Sequence, residues 1–206
     1  MSPSLFANPT RLLVVTWLLI LFGTCAMAAD SPDKVAATPK IPQLAEKAPD
    51  FSLNALDGTA VTLSKLTAVS PVVLVVLRGY PGYQCPICAY QVAGLIAQES
   101  ELSAANAHVV LVYPGASEGL ASKAKEFWKM RNLIFAKLPG NFSYVIDPGY
   151  QFTLAYGLRW DAPKETAYPA TFVIDRQGVV RYVKVSRTHG NRAPVAEILK
   201  ALADIR

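Results

Sequence analysis

Pro71–Leu77 is PVVLVVL, Arg78–Gln84 is RGYPGYQ, and Cys85-Pro86-Ile87-Cys88 follows directly. An unbroken run of apolar, mostly β-branched residues is typical of a strand that is covered on both faces. The stretch rich in Gly, Pro and Tyr predicts a turn. Residues 89–105 are rich in Ala, Leu, Gln and Glu, which favours a helix. These segments together predict a buried strand that leads, through a turn, to two cysteines at the start of a helix.

The spacing of the two cysteines indicates a redox-active dithiol. We expect Cys85 at the N-cap, Pro86 at the first helical position and Cys88 at the third. Unpaired N–H groups and the positive end of the helix dipole favour a thiolate at Cys85. Its pKa is therefore expected to fall from about 8.5 to about 7 or lower. Residues i and i+3 share one helical face, so the two sulfurs are close enough to form a disulfide.

Length and charge indicate one folded domain and argue against a nucleic-acid partner. The 206 residues are enough for one domain with a substantial core. The formal charge of +5 is mild, and the basic residues are scattered rather than blocked. Such spacing is typical of a solvated strand face, and we expect no nucleic-acid partner.

The first 28 residues have the pattern of a secretory signal peptide. Arg11 precedes the apolar run Leu12–Phe22, which is short for a membrane span, and Ala26-Met27-Ala28 is a small-x-small cleavage site. We expect a signal peptide at 1–28, a flexible lead-in at 29–44 and a folded domain at 45–206. The protein is then exported and is periplasmic or secreted. The alternative is a membrane anchor formed by residues 11–29.

Removal of the signal peptide, with Cys25, leaves the mature chain with Cys85 and Cys88 only. A structural disulfide between them would close a very small loop and would constrain the unfolded chain little. A structural zinc site would need two more ligands, and only His108 and His189 are available as histidines. We therefore favour redox chemistry and expect no metal and no cofactor.

The rest of the chain predicts an α/β fold with a mixed central sheet flanked by helices. A strand–helix insertion is expected between the second helix and the final hairpin. The predicted elements are a hairpin within 48–63, strands at 71–77, 108–113, 143–146, 171–174 and 179–185, and helices at 89–105, 117–131, 151–156 and 193–203.

Three segments resemble the redoxins of thioredoxin-like fold. They are Ala48-Pro49-Asp50-Phe51 with Asp57-Gly58, the CxxC helix, and Tyr168–Gly178 (YPATFVIDRQG). More narrowly, they are similar to the alkyl hydroperoxide reductase/thiol-specific antioxidant group, which holds peroxiredoxins and exported thioredoxin-like proteins. The resemblance covers residue 44 to the C-terminus, and it implies a thiol-based oxidoreductase.

Peroxiredoxins carry Pro-x-x-x-Thr-x-x-Cys, in which the cysteine attacks peroxide. Tyr80–Cys88 fits that register and places Cys88 at the peroxidatic position, with Cys85 as the resolving residue. The sequence departs from this pattern in two places. Cys85 replaces the threonine, and Pro169 stands where peroxiredoxins usually have their second arginine.

Thioredoxin-like oxidoreductases pair CxxC with a cis proline before a strand, and Tyr168-Pro169 matches that arrangement. The resemblance therefore implies a cis peptide bond at Pro169, with Tyr168 and Pro169 positioning an extended substrate. We also expect Arg78 to add positive potential near the sulfurs and Tyr83 to wall the site.

In this preferred interpretation Cys85 attacks a disulfide and Cys88 then releases the substrate. The expected partners are a disulfide-containing or dithiol protein, or a peroxide, together with a thiol electron donor. A different class of function is a Cu(I) carrier that uses Cys85, Cys88 and a histidine such as His189. Some copper-delivery proteins share the fold, but their cysteines are typically spaced CxxxC.

Overall fold

In the computed structural model of the protein, the described residues are 39–130, 133 and 137–205. The predicted signal peptide, the anchor alternative and residues 29–38 of the predicted lead-in lie outside them. In the described part of the chain, no helix combines the length and the apolar character needed to cross a membrane.

A seven-stranded mixed sheet forms the centre of the fold, in the order β2-β1-β5-β4-β3-β6-β7. β3 and β5 run parallel to β4, whereas β6 and β7 are antiparallel to their neighbours. The strands are β1 Ser52–Ala55, β2 Ala60–Thr62, β3 Val72–Val76, β4 His108–Gly115, β5 Phe142–Pro148, β6 Ala170–Ile174 and β7 Val180–Val185. The helices are α1 Leu63–Thr67, α2 Pro86–Ala97, α3 Glu99–Ala104, α4 Leu120–Phe127, α5 Gln151–Ala155 and α6 Val195–Ala203.

The central strand β3 is buried along its whole length, as its continuous apolar sequence predicts. Val73 and Val75 belong to the hydrophobic cluster that contains Cys85, Cys88 and α2, whereas Val72 and Val76 belong to the cluster on the opposite face. Side chains alternate across a strand, so one strand supplies both cores. The prediction of a mixed sheet with helices on both faces is confirmed, with β5 and α5 as the strand–helix insertion.

Two helix boundaries differ from the prediction. The helix expected over 89–105 is two helices, because the backbone at Gln98 (φ −110°, ψ 25°) leaves helical geometry. The helix expected to begin with a Ser117-Glu118 cap begins at Leu120, and its N-cap is Gly119 at φ 66°. A left-handed residue at this position reverses the chain without a side-chain cap.

The start of the described chain lies against the domain. Pro42 is buried, and the Ala45 amide donates to the Val180 carbonyl at 2.8 Å. The predicted domain start at residue 45 stays a prediction, because the described residues begin only at Pro39.

Gly79 sets the turn that carries the chain from β3 to the cysteines. Its φ is +72°, and a Cβ at this residue would lie 1.8 Å from the Pro114 carbonyl oxygen. The next amide, that of Tyr80, donates to the same oxygen at 3.2 Å. Only glycine allows the turn to press against the end of β4 in this conformation.

Candidate active site

The two cysteines occupy the helix positions that the sequence predicts. Cys85 is the N-cap of α2, with extended backbone (φ −91°, ψ 107°), and Pro86 is the first helical residue. The Cys88 backbone N–H donates to Cys85 Sγ at 3.3 Å. This is the N-cap hydrogen bond, with a sulfur in place of the usual oxygen.

Both sulfur-bearing residues are buried and are free thiols. Cys85 is 4% exposed and Cys88 is 1% exposed. Cys85 is therefore more enclosed than its position at a helix start indicates. A molecule that reaches the Cys85 sulfur must therefore be small enough to enter, or must dock closely at the start of α2.

Arg192 places a guanidinium beside both sulfurs. Its Nη2 lies 3.9 Å from Cys85 Sγ and 3.6 Å from Cys88 Sγ. The His189 carbonyl accepts from Nε at 2.9 Å, and Gln91 Oε1 accepts from Nη1 at 3.4 Å. Gln91 in turn donates to the Thr171 hydroxyl at 3.3 Å. The guanidinium is thus held by groups from α2 and from the loop between β7 and α6.

These contacts separate the acidities of the two thiols. The pKa of Cys85 is lowered to about 6. The hydrogen bond with the Cys88 side chain contributes most; the Cys88 backbone N–H and the positive charges of Arg192 and Arg78 add to it, and burial opposes it. Burial raises the pKa of Cys88 well above its ordinary value, and the Cys85 thiolate adds to this. At neutral pH the dithiol therefore holds one thiolate, on Cys85, and one thiol, on Cys88.

Arg78 contacts the dithiol through its backbone. Its backbone N–H donates to Cys88 Sγ at 3.4 Å. The side chain is 2% exposed and extends to the loop between α5 and β6, where Nε donates to Glu165 at 2.8 Å and Nη2 to the Lys164 carbonyl at 2.6 Å. The Arg78 guanidinium therefore contributes positive potential without contacting a sulfur.

Tyr83 covers Arg78. The guanidinium carbon of Arg78 lies 4.8 Å from the centre of the Tyr83 ring, and Tyr83 is 46% exposed. The ring thus lies between Arg78 and solvent, and the role of Tyr83 in walling the dithiol stays a prediction.

The predicted cis peptide bond at Pro169 is wrong, because the described residues contain no cis peptide bond. The Tyr168 amide donates to the Leu158 carbonyl and the Pro169 carbonyl accepts from the Ser186 amide, both at 2.8 Å. The Tyr168 amide and the Pro169 carbonyl are thus both paired within the fold.

Pro169 lies beside residues of the site, since it lines one small surface depression together with Gln91 and Arg192. The Tyr168 ring stacks on Trp160 with centroids 4.7 Å apart, and the Arg187 guanidinium lies 4.7 Å from its centre.

The structure gives no support to the copper alternative. His189 Nε2 lies 2.8 Å from Glu165 Oε1, so this histidine is engaged by the loop that also holds Arg78. Within the described ranges, no three His, Cys, Asp or Glu side chains are grouped so that they could hold a metal ion.

Sequence reasoning missed Arg192, Gln91 and Glu165. The sequence spacing could have indicated Gln91, since it lies three residues after Cys88 and so shares its helical face. Arg192 had none, because 104 residues separate it from Cys88 and only the fold brings them together.

A family model and two curated relatives point to the same family for this chain. The family model described as Redoxin matches residues 43–202. The chain is similar to a putative peroxiredoxin Q, chloroplastic, of Oryza sativa subsp. indica and to peroxiredoxin Q, chloroplastic, of Oryza sativa subsp. japonica. Each is 30% identical over 158 residues, which is 77% of this chain and 65% of the relative. The chain therefore spans less than two thirds of the length of these curated relatives.

Solved structures confirm the thioredoxin-like fold. Peroxidoxin BcpB of Mycobacterium tuberculosis has a TM-score of 0.61 at 22% identity, over 80% of this chain and 99% of that one. The reduced 2-Cys peroxiredoxin of Plasmodium vivax has a TM-score of 0.61 at 17% identity, over 78% and 80% of the two chains. At these identities the likeness concerns the fold alone.

Proposed function

This chain belongs to the Redoxin family, and from that premise we propose that it is a thiol-based oxidoreductase. Cys85 attacks the substrate, and Cys88 then attacks the sulfur of Cys85 in the intermediate that forms. The N-cap position of Cys85, whose sulfur accepts the Cys88 N–H, carries this assignment, and the opposite pKa shifts of the two thiols agree with it. A nucleophile must be a thiolate, and Cys85 is the residue that loses its proton near neutral pH. Cys88 keeps its proton until the first step is complete.

Disulfide exchange is the first candidate reaction. The Cys85 thiolate attacks one sulfur of a substrate disulfide, so that the substrate S–S bond breaks and a mixed disulfide forms. The leaving substrate thiolate takes a proton from water. Cys88 then loses its proton and attacks Cys85 Sγ, which releases the second substrate thiol. The protein ends as a Cys85–Cys88 disulfide, and a thiol electron donor returns two electrons.

Peroxide reduction is the second candidate. The burial of both sulfurs favours it, since 4% and 1% exposure admit a two-oxygen molecule more readily than a peptide. The curated relatives are also named as peroxiredoxins. The Cys85 thiolate attacks one peroxide oxygen, the O–O bond breaks, and water or an alcohol leaves. Cys85 becomes a sulfenic acid, which condenses with Cys88 to release water and form the same disulfide.

The acidity of the thiols favours Cys85 over Cys88 as the peroxidatic residue. In the peroxiredoxin register Cys88 attacks the peroxide, but its raised pKa leaves it protonated at neutral pH. Arg192 supplies a cation at the sulfurs, which the proline at position 169 does not. We propose Arg192 as the residue that stabilises the thiolate in either reaction.

One experiment separates the two reactions and the two roles. Reduction of insulin disulfides and consumption of hydrogen peroxide are measured with the mature protein, Cys85→Ser and Cys88→Ser. We expect Cys85→Ser to abolish the turnover that the parent shows, and Cys88→Ser to trap a mixed disulfide with insulin. Turnover retained by Cys85→Ser would reverse the assignment of roles.

We also propose that the protein is exported, on the sequence pattern of residues 1–28. Expression of the full chain, followed by cell fractionation and intact-mass measurement, tests this. A periplasmic or secreted product that begins at Ala29 or Asp30 is expected. A full-length product in the membrane fraction would favour the anchor of residues 11–29 instead.

A further inference from the structure

Arg192 is held at the sulfurs without an acidic partner. Within residues 39–130, 133 and 137–205, no carboxylate lies close enough to form an ion pair with it. The His189 carbonyl, which accepts from Nε at 2.9 Å, orients the guanidinium, and Gln91 accepts from Nη1 at the longer distance of 3.4 Å. The position of the guanidinium therefore depends on where the loop between β7 and α6 places the His189 backbone.

Ser186 closes this loop on itself. Its hydroxyl lies within hydrogen-bond distance of the carbonyls of Gly190 and Asn191, at 3.0 Å from the second. Its amide donates to the Pro169 carbonyl at 2.8 Å. Residues 187–189, between these fastened ends, are exposed. A contact made by this exposed part therefore decides how the closed loop is oriented towards the rest of the site.

The His189 side chain makes such a contact with the loop between α5 and β6. Its Nε2 lies 2.8 Å from Glu165 Oε1, and its ring centre lies 5.5 Å from that of Trp160. Arg187 reaches the same part of the chain, with its guanidinium 4.7 Å from the centre of the Tyr168 ring. Because His189 is closer in sequence to the guanidinium at the sulfurs and binds it through its own carbonyl, its contact bears on the site more directly.

One carboxylate thus reaches both arginines of the site. Glu165 Oε2 accepts from Arg78 Nε at 2.8 Å, and Oε1 accepts from His189, whose carbonyl orients Arg192. A carboxylate that is ionised beside a guanidinium can only accept, so Nε2 of the imidazole is the donor. Glu165 is 11% exposed, which keeps both contacts largely out of solvent.

We propose that His189 is a positioning residue, which holds the loop between β7 and α6 against Glu165 and thereby keeps the Arg192 guanidinium at the two sulfurs. The inference rests on the proposed function, since it explains how Arg192 comes to stabilise the thiolate there. Attraction between a guanidinium and a thiolate weakens with distance, and it weakens further when water enters between them. A loop that tilted away from Glu165 would therefore lose part of the stabilisation.

Thiolate titrations of a set of variants test the inference. The reduced protein is titrated by its thiolate absorbance, and the step at lower pH belongs to Cys85, because the pKa of Cys88 is raised well above its ordinary value. The variants are His189→Ala, His189→Gln, Arg192→Gln and the double variant His189→Ala with Arg192→Gln. Thr188→Ala is the matched control, since Thr188 is exposed and lies in the same loop. Urea unfolding establishes that each variant is folded.

We expect His189→Ala to raise the pKa of Cys85 by about half of the rise that Arg192→Gln causes, because the guanidinium stays in the chain but is no longer oriented. His189→Gln should titrate like the parent, since its side-chain amide can donate to Glu165 in place of Nε2. Thr188→Ala should also titrate like the parent. In the double variant, the loss of His189 should add nothing to the loss of Arg192, because one residue acts through the other.

The adverse outcomes can be told apart. If Arg192→Gln raises the pKa of Cys85 and His189→Ala does not, the inference is wrong and the proposed role of Arg192 stands. An equal rise from His189→Ala with and without Arg192 would also overturn the inference, since His189 would then act on the thiolate by another route. Failure of His189→Gln to titrate like the parent would mean that the hydrogen bond to Glu165 does not orient the loop, and the inference would be wrong. If Arg192→Gln leaves the titration unchanged, the proposed role of Arg192 fails and the inference with it.

Discussion

At the scale of single residues, the site is an arrangement of charges around two sulfurs with different acidities. Cys85 receives a hydrogen bond from the Cys88 amide and positive potential from two arginines, whereas Cys88 is enclosed. This asymmetry fits the proposed order of attack, because the thiol with the lower pKa supplies a thiolate for the first step.

Arg192 is the residue whose effect is most direct to measure. Arg192→Gln should raise the pKa of Cys85 above its value of about 6, because the guanidinium favours the thiolate. The pKa is read from thiolate absorbance near 240 nm in the reduced protein. Arg192→Lys, which keeps a cation, should retain most of the lowering. An unchanged titration in Arg192→Gln would remove this residue from the thiolate's stabilising groups.

At the scale of elements, the site depends on how two loops are fastened to the sheet. The turn after β3 is pressed on β4 at Gly79, and the loop between α5 and β6 is fastened through Glu165. Neither contact touches a substrate, but both fix where the start of α2 and its surroundings lie.

Gly79→Ala is expected to destabilise the fold by more than about 3 kcal/mol. A left-handed backbone costs an alanine about 1–2 kcal/mol, and the Cβ must also displace the Pro114 carbonyl. Gly58→Ala is the control, since Gly58 has φ +88° but open space around its Cβ. Urea unfolding measures both, and equal losses in the two variants would contradict the steric argument.

Glu165→Ala should cost about 3–5 kcal/mol, because it leaves the buried Arg78 guanidinium without its carboxylate. Asp161→Ala is the matched control. It breaks the Arg159–Asp161 pair, in which Asp161 is 93% exposed, and should cost under about 1 kcal/mol. Similar unfolding free energies for the two variants would show that the Arg78–Glu165 pair does not fasten the loop.

At the scale of the whole molecule, the thiol chemistry is linked to folding stability. The pKa of Cys85 is about 6 in the folded protein, well below that of an ordinary thiol, so folding favours its thiolate. That stabilisation is fully present above about pH 9 and is lost as the pH falls towards 6. The contribution of Cys88 to folding stability has the opposite pH dependence. Because its pKa is raised in the folded protein, Cys88 reduces stability only as the pH rises above 9.0.

The reduced protein should therefore become more stable between pH 6.5 and 8.5, as seen in a rising urea midpoint. Cys85→Ser, kept reduced in the same way, should lack this rise, because the variant lacks the thiol that titrates between these pH values. A parallel rise in both proteins would mean that another group is responsible.

The sequence by itself determined the mixed sheet with helices on both faces, the buried central strand and the position of both cysteines at the start of α2. These follow from local rules: apolar continuity marks β3, and Cys-Pro marks a helix start. The opposed acidities were predictable in direction for Cys85, because the helix terminus acts within one turn.

Only the tertiary structure decided which cation reaches the sulfurs, how enclosed they are and which isomer Pro169 adopts. Arg192 meets Cys88 across 104 residues, and the trans Pro169 lies where the chain pairs with Leu158 on one segment and with Ser186 on another. Such contacts depend on the packing of distant segments, and no local pattern in the chain encodes them.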